Sequence, residues 1–489
     1  MHAITRKASR GFTLIELLVV IAIMAVLATV IVVVINPAEL LRQSRDASRL
    51  SDLAAMNNAL GLLLVDQPSV SLGTSSIVYV SISDSSPTCA NVGLPPLPSG
   101  WNYACASTST FTNANGAGWL PANFGALSTG SPLSRLPVDP VNATSSGQYY
   151  TYTSAGSLWE LVALFESTKY QPKGQTDGGR IANAYETGSN LTLMPLIWPF
   201  NYVKVPGNTA FGTSDFYVMK YDAKCVRASD NAPLTSPDTG YHTYSDYGQP
   251  CTGSNYYAAS APDGYPVANI THTTALSYCA ALGAHLLTND EYMTIVRNAE
   301  QVSSNWSGGS PGSGFMYSGH NDNAPAYALT ADSNDANGYA GETNTGGNQR
   351  RTFTLSNGSV VWDFAGNVWQ HVQRSVMNSG DLTTTMAPPA RSDGAASWDW
   401  GQYGSSLTPY VSAWSVDVPR ATMGPSNTSW NSSQGVGQVY TYGTGVNQGT
   451  TVFVRGGTWY YGAGAGAFAA YLNLGAGNTS VSVGFRCVR

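Results

Sequence analysis

At 489 residues the chain is too long for one hydrophobic core, which points to two or more domains. A net charge of -6 leaves no basic face with which to neutralise phosphates, so nucleic acid is excluded as a partner. Only 11% of residues are charged, against about a quarter in typical soluble proteins, and there are 51 glycines. That polar, uncharged profile fits an extracellular, loop-rich β protein better than a cytosolic enzyme. The six cysteines contain no C-x-x-C, which favours disulfides over a zinc site.

The chain begins MHAITRKASRGFTLIELLVVIAIMAVLATVIVVVINPAEL, with Arg6, Lys7 and Arg10 ahead of an apolar run from Phe12 to Ile35. The run is long enough to cross a bilayer. A signal peptide or plain membrane anchor shares that pattern, but Glu16, the one ionisable residue of the run, is costly in lipid and calls for a partner. The stretch closely resembles the processing and assembly signal of type IV pilins and pseudopilins. There a prepilin peptidase cuts after the Gly of G-F-T-L-I-E and the new N-terminus is methylated. The resemblance implies a leader over 1–11, cleavage after Gly11, methylation of Phe12, and a role for Glu16 in filament assembly, paired with the Phe12 amine of a neighbouring subunit. It implies other pilin subunits as partners in a helical, head-to-tail filament. Before assembly the chain would sit in cytoplasmic-membrane lipid, and afterwards in a filament at the cell surface.

Asn36-Pro37 suits a cap followed by Pro in a first helical turn, or a bend in one long helix. Leu50, Leu53, Met56, Leu60 and Leu63 or Leu64 keep a helical period, so a transmembrane and assembly helix is expected over 12–65. Across 66–168 the runs SSIVYVSI, QYYTYT and LWELVALFES alternate with Pro and Gly clusters, the pattern of short strands. This looks like the small sheet that pilins wrap against the outer half of their helix. LPVDPVN at 136–142 also resembles pseudopilin heads. Cys89 and Cys105 flank a Pro-rich loop, and a bond between them would fix a segment poor in apolar residues; two free surface thiols are the alternative. Residues 169–200, polar and Gly-rich, read as a linker to a second domain over 201–489.

In that second domain FYVMKYDAKC reads as a strand. ALSYCAALGAHLLTNDEYMTIVRNAE reads as helical, with a break at Gly283 and a fresh start at Thr288-Asn289-Asp290-Glu291. A long Gly/Ser/Asn-rich loop follows, and then VVWDFAGNVWQHV. Together with RGGTW and GFRCVR these pieces resemble the formylglycine-generating-enzyme branch of the C-type lectin fold over residues 202–489. The expected fold class is therefore α+β: a long N-terminal pilin helix with a small β head, followed by a C-type-lectin-like domain. The resemblance implies a bond between Cys279 on a helix and Cys487 on the terminal strand, which leaves Cys225 with Cys251.

The family's enzyme needs two cysteines just after its R-G-G-S/T-W segment, where thiolates bind copper and attack the substrate. None lies between Tyr460 and Ala470. Gln370-His371 stand where the family usually places an acidic residue and a Trp, which also weakens any calcium site. No catalytic residue, cofactor or metal is expected. His2, His242, His272, His285, His320 and His371 form no H-x-x-x-H and read as surface or core residues. Gly462-Ala-Gly-Ala-Gly lacks the acid that a dinucleotide loop needs about twenty residues on.

The ending also resembles the variable proteins of diversity-generating retroelements, in which errors at template adenines turn Asn codons into many others. On that resemblance Tyr460, Tyr461, Gly464, Tyr471, Leu474, Ser480, Val481 and Ser482 are the variable, ligand-binding positions, and Asn473 and Asn478 are unaltered copies. Lys, Glu, Gln, Met and Trp are unreachable by that route, and none occurs between Tyr460 and Val483. Tyr supplies contact area with few rotors to freeze. The plainer alternative makes these residues ordinary turns and strands. The resulting expectation is a surface filament or tip subunit displaying a hypervariable, non-catalytic domain that binds an extracellular protein or glycan. A minor pseudopilin with a fixed-specificity domain is the alternative, and a formylglycine-generating oxidase the least favoured.

Overall fold

The computed structural model describes residues 13–234, 240–245, 250–332, 349–373, 387–416, 418–444 and 451–489, and for 25–35 the backbone alone. The expected leader 1–11, with His2 and Gly11, and the expected new N-terminus Phe12 lie outside the described residues. The architecture is α+β.

Helix α1 spans Leu14–Ile35 and α2 spans Pro37–Asp66. Asn36 separates them in the left-handed conformation (φ 43°), with Pro37 in the first turn of α2. Of the two sequence readings, cap and bend, the cap is the one formed, and Asn tolerates this backbone better than most residues. Thr13 and Glu16 close a capping box on α1: the Thr13 amide and hydroxyl both donate to Glu16 Oε2 at 2.8 Å. The described side chains of α1, such as Leu14, Ile21 and Met24, stand exposed. Among the described residues no helix is long and apolar enough to cross a membrane.

The outer part of α2 packs on a five-stranded sheet. Its strands are β1 (Ile77–Val80), β2 (Asn102–Ala104), β3 (Thr151–Ala155), β4 (Leu158–Leu164) and β5 (Ala184–Gly188), in the order β2-β1-β3-β4-β5. All neighbours are antiparallel except β1 and β2. Leu53, Met56, Leu60 and Leu63 bury against Trp119, Tyr150, Tyr152 and Trp159. Polar clamps fix the helix in rotation. Arg49, fully buried, holds Asp139 of the LPVDPVN segment at 2.6 and 2.8 Å, Asp46 at 2.8 Å and Glu166 at 2.6 Å. Tyr150 donates to Asp52 at 2.7 Å, and Trp159 to Asn57 at 2.9 Å. Cys89 is bonded to Cys105.

The stretch 169–200, expected as a linker, contributes the edge strand β5, and Met194, Leu196 and Ile197 lie in the core that follows. Its polar composition hides this, because β5 needs side-chain burial on one face only. The same core joins Val78 and Leu164 of the head to Val226, Tyr257 and Ala259 beyond it, and Trp101 donates to the Ala228 carbonyl at 2.8 Å. Head and C-terminal region therefore share a core, with no free tether between them.

In the C-terminal region a hairpin of Tyr202–Val205 and Phe216–Met219 pairs with the terminal strand Cys487–Val488, which also pairs with His285–Leu286. Helices α3 (His272–Ala281) and α4 (Asn289–Ala299) flank it, α4 starting in a Thr288–Glu291 capping box. Cys279 on α3 is bonded to Cys487, and Cys225 to Cys251. A six-stranded mixed sheet runs Trp398–Gly401, Val439–Tyr442, Ala470–Gly475, Thr451–Arg455, Trp369–Val372 and Val483–Phe485.

Removing Arg49 would strand buried carboxylates. Arg49→Ala is expected to lower unfolding free energy in a urea titration by about 3–5 kcal/mol. Arg42→Ala, at a 3.4 Å pair with a half-exposed arginine, should change it by less than about 1 kcal/mol.

Candidate functional site

The three sequence motifs of the C-terminal region meet beneath one face. Asp222, fully buried, accepts from Arg486 at 2.6 Å, Gln370 Nε2 at 2.7 Å and Asn367 Nδ2 at 3.1 Å, so a single carboxylate ties W-D-F-A-G-N-V-W to G-F-R-C-V-R. Arg351 forks onto Asp363 at 2.7 and 2.6 Å. The Asn367 carbonyl accepts from Thr458 Oγ1 at 2.9 Å and from the Trp459 amide at 3.1 Å, which anchors R-G-G-T-W. Gly456 and Gly457 both have φ of 93°, and a Cβ on Gly457 would stand 2.4 Å from that of Ala465. Only glycine lets the chain leave the sheet here.

Above this scaffold the eight candidate variable residues fall next to one another. Tyr460, at 47% the most exposed aromatic residue among them, places its hydroxyl 3.3 Å from Ser482 Oγ, itself 2.9 Å from Ser480 Oγ. The Tyr460 ring lies 5.0 Å from that of Tyr461, which sets its edge on Trp369 and Trp400 at 5.3 and 5.1 Å. Tyr471 stacks on Tyr440 at 4.4 Å with the rings 2° from parallel. Leu474 packs on the same cluster, and Val481 beside Trp459. Gly464 and Ser482 are buried and shape the face from below.

Sequence reasoning missed half of the aromatic surface. Trp398 and Trp400 lie cross-strand from Tyr442 and Tyr440, and Trp398 stacks on Tyr440 at 6.0 Å. The signal was the alternation in WDW and YTY, which puts both aromatics of each strand on one face. Burial, reinforced by neighbouring phenols, raises the pKa of Tyr461 and Tyr471, and burial raises that of Tyr440. These hydroxyls stay neutral at physiological pH, so the face offers ring area and hydroxyl groups. Rings and neutral hydroxyls together are suited to contact by shape and hydrogen bonding.

Among the described histidines, His242 stacks on Tyr327 at 3.8 Å, His285 meets Glu291 at 2.8 Å, His320 is buried, and His272 and His371 are buried edge to face with ring centres 5.4 Å apart. Among the described residues no three His, Cys, Asp or Glu side chains converge to hold a metal ion. Gln370 is committed to Asp222.

Residues 6–32 match the family model of the prokaryotic N-terminal methylation motif. No curated protein matches the chain. Among solved structures the chain is similar to the Major Tropism Determinant I1 variant at 12% identity and a TM-score of 0.22, covering 56% of this chain and 50% of that one. The U1 variant gives 13% identity and 0.21, with 61% and 53% covered, and the M1 variant 13% and 0.20, with 61% and 52%. The chain thus spans about half the length of these structures.

His371 carries a pH dependence. Burial, with His272 adding to it, lowers its pKa from 6.5 to about 3. Between those values the unfolded chain binds a proton that the folded one refuses, so stability falls as pH drops through the window. His371→Leu is expected to flatten the dependence of unfolding free energy on pH there, by up to about 1.4 kcal/mol per pH unit, in urea titrations stepped from neutrality to ~pH 4.

Proposed function

We propose that the chain is a subunit of a type IV pilus-like surface filament whose C-type-lectin-like region binds an extracellular ligand through the aromatic face, with the eight residues from Tyr460 to Ser482 as its variable positions. The observation that carries this reading is the convergence of Tyr460, Tyr461 and Tyr471 with Trp398, Trp400 and Tyr440 on one side of one sheet. Aromatic residues with neutral hydroxyls at the surface are what adaptable binding faces use. The methylation motif at 6–32 supports assembly through the N-terminus. There the exposed apolar side chains of α1 suit first lipid and then neighbouring helices, and Glu16, already holding Thr13, suits the methylated amine of the next subunit's Phe12. All six cysteines are bonded in pairs, which supports binding rather than thiolate chemistry.

Two variants separate the halves of the proposal. Glu16→Ala should abolish incorporation into sheared filaments, read by immunoblot, while near-ultraviolet circular dichroism of the detergent-extracted chain stays unchanged. Tyr460→Ala with Tyr461→Ala should leave filaments intact and remove attachment to the target surface; attachment that survives the double change would refute the binding face. Sequencing the 3′ end of the gene across many cells should find differences confined to codons of the eight named positions and to template adenines.

A further inference from the structure

On the face of the head sheet turned away from α2, two glutamates are buried against each other. Glu160 of β4 and Glu186 of β5 are 0% and 2% exposed. In the antiparallel pairing Glu160 lies opposite Gly188 and Glu186 opposite Val162, which makes the two side chains diagonal neighbours on that face. Glu160 Oε2 accepts from the Leu193 and Met194 amides at 2.7 and 2.8 Å. The Glu186 oxygens accept from the Arg180 and Ile181 amides at 3.1 and 2.6 Å. A Cβ on Gly179 would stand 2.0 Å from Glu186 Oε2, so this segment lies directly on the carboxyl group. Glu160 Oε1 remains, buried and without an amide, hydroxyl or cationic donor. What it meets is the Glu186 carboxyl group, in a side-chain hydrogen bond. Two carboxylates cannot make such a bond, because each only accepts. A proton belongs between them, and Glu160 Oε1, the one oxygen of the four that no amide occupies, is the atom to carry it.

The backbone that this pair grips is the passage from the head to the C-terminal region. Asn231, beyond the passage, donates to the Leu193 carbonyl at 2.7 Å, and its own carbonyl accepts from the Arg180 guanidinium. Asn201 donates to the Arg180 carbonyl at 2.8 Å. Of the ionisable groups on these elements, Arg180 and Asp177 act on the pair, and Asp177 accepts from the Glu186 amide at 2.8 Å. Tyr257, which donates to Asn231 at 3.0 Å, is kept neutral by burial. Strand β3 places Thr153, which does not titrate, opposite Glu160. Burial raises both glutamates above their ordinary 4.5, and an ionised Glu160 raises Glu186 further. We propose that Glu160 and Glu186 share one proton and form a pH-sensitive latch between the head and the C-terminal region, closed while the proton is held and loosened when an alkaline medium removes it. Opening the junction returns both groups to ordinary carboxyls, which release the proton. Closure is therefore fully favoured at low pH and weakens as pH rises through the pair's own ionisation. The latch is independent of what the aromatic face binds.

The test uses the full chain in detergent, with amide hydrogen exchange read by mass spectrometry on peptides covering 178–196 and corrected for the intrinsic effect of pH. Asp177, raised by burial to about 6, weakens closure with the same sign, so the slope is read above ~pH 6.5, where its share has ended. There the protection of these amides should fall by up to about tenfold per pH unit, the limit for one proton, and level off once the pair has ionised. In Glu160→Gln the new amide donates to Glu186 with no proton to lose, and protection should stay flat over the same range. Asp177→Asn should keep the fall. Infrared spectra of the unaltered chain give a second reading that needs no variant: a protonated carboxylic acid band should persist at neutral pH and vanish in step with protection. Protection that is flat in the unaltered chain, a fall that survives Glu160→Gln, a fall abolished by Asp177→Asn, or a band that does not track protection would each overturn the latch. Loss of protection on adding a chelator at constant pH would also overturn it, by placing a cation where the proton is proposed.

Discussion

The buried carboxylate of Asp222 is the point on which the C-terminal region turns. It follows the first hairpin of that region, yet it receives Arg486 from the last few residues and Asn367 and Gln370 from the middle. A charge taken out of water is tolerable only when its lone pairs are met, and here three donors meet them. Arg486 also donates through its two terminal nitrogens to the carbonyls of Met219, Lys220 and Trp362. One ion pair thereby holds the first strands, the central W-D-F-A-G-N turn and the terminal strand at fixed separations. The Cys279–Cys487 bond secures the same end covalently. The aromatic face needs this arrangement, because its rings come from strands far apart in sequence and coincide only if those strands are pinned.

A second constraint governs display. Arg49 and its three carboxylates fix the rotation of α2 against the head, and the head shares a core with the C-terminal region. Orientation therefore passes from helix to head to aromatic face through packed contacts, without a flexible tether. In a filament built on α1, each aromatic face would then have a set direction relative to the axis, which matters when many copies engage one surface together.

The features legible in the sequence were those fixed by local chemistry. G-F-T-L-I-E lies in the stretch matched by the methylation-motif model, and such a short motif needs no tertiary context to read. Thr288 through Glu291 spells a capping box, and the structure forms one. The period of Leu53, Met56, Leu60 and Leu63 foretold the buried stripe of α2, whose end at Asp66 lies one residue from the expected limit. What stayed hidden depends on pairing at a distance. Strand β5 lies in a polar, Gly-rich stretch, and it is held by its ladder with β4 and by the carboxylate of Glu186, which accepts from the Ile181 amide at 2.6 Å. Trp398, Trp400, Tyr440 and Tyr442 carried an alternating pattern, but only the register between their strands makes them one surface with Tyr461 and Tyr471.

The eight candidate positions are not physically equivalent, and the difference bears on how far such a face could vary. Tyr460 projects into solvent and its hydroxyl contacts Ser482 only at 3.3 Å, so almost any side chain fits there. Tyr461 and Tyr471 are half-buried among Trp369, Trp400 and Tyr440; a smaller residue opens a hollow between the tryptophans, and a charged one must still reach water past their rings. A Cβ at Gly464 would come within 3.3 Å of Gln438 Oε1, the mobile end of a long side chain, so modest residues are admitted. Ser482 is nearly sealed beneath Tyr460 and Ser480, and enlarging it would push the tyrosine outward. Change at the rim alters contact chemistry, whereas change at the buried positions alters the shape of the face. The donors that meet the Asp222 carboxylate, Arg486, Asn367 and Gln370, are none of the eight, and such a separation of anchor from face would let the face vary while its scaffold does not.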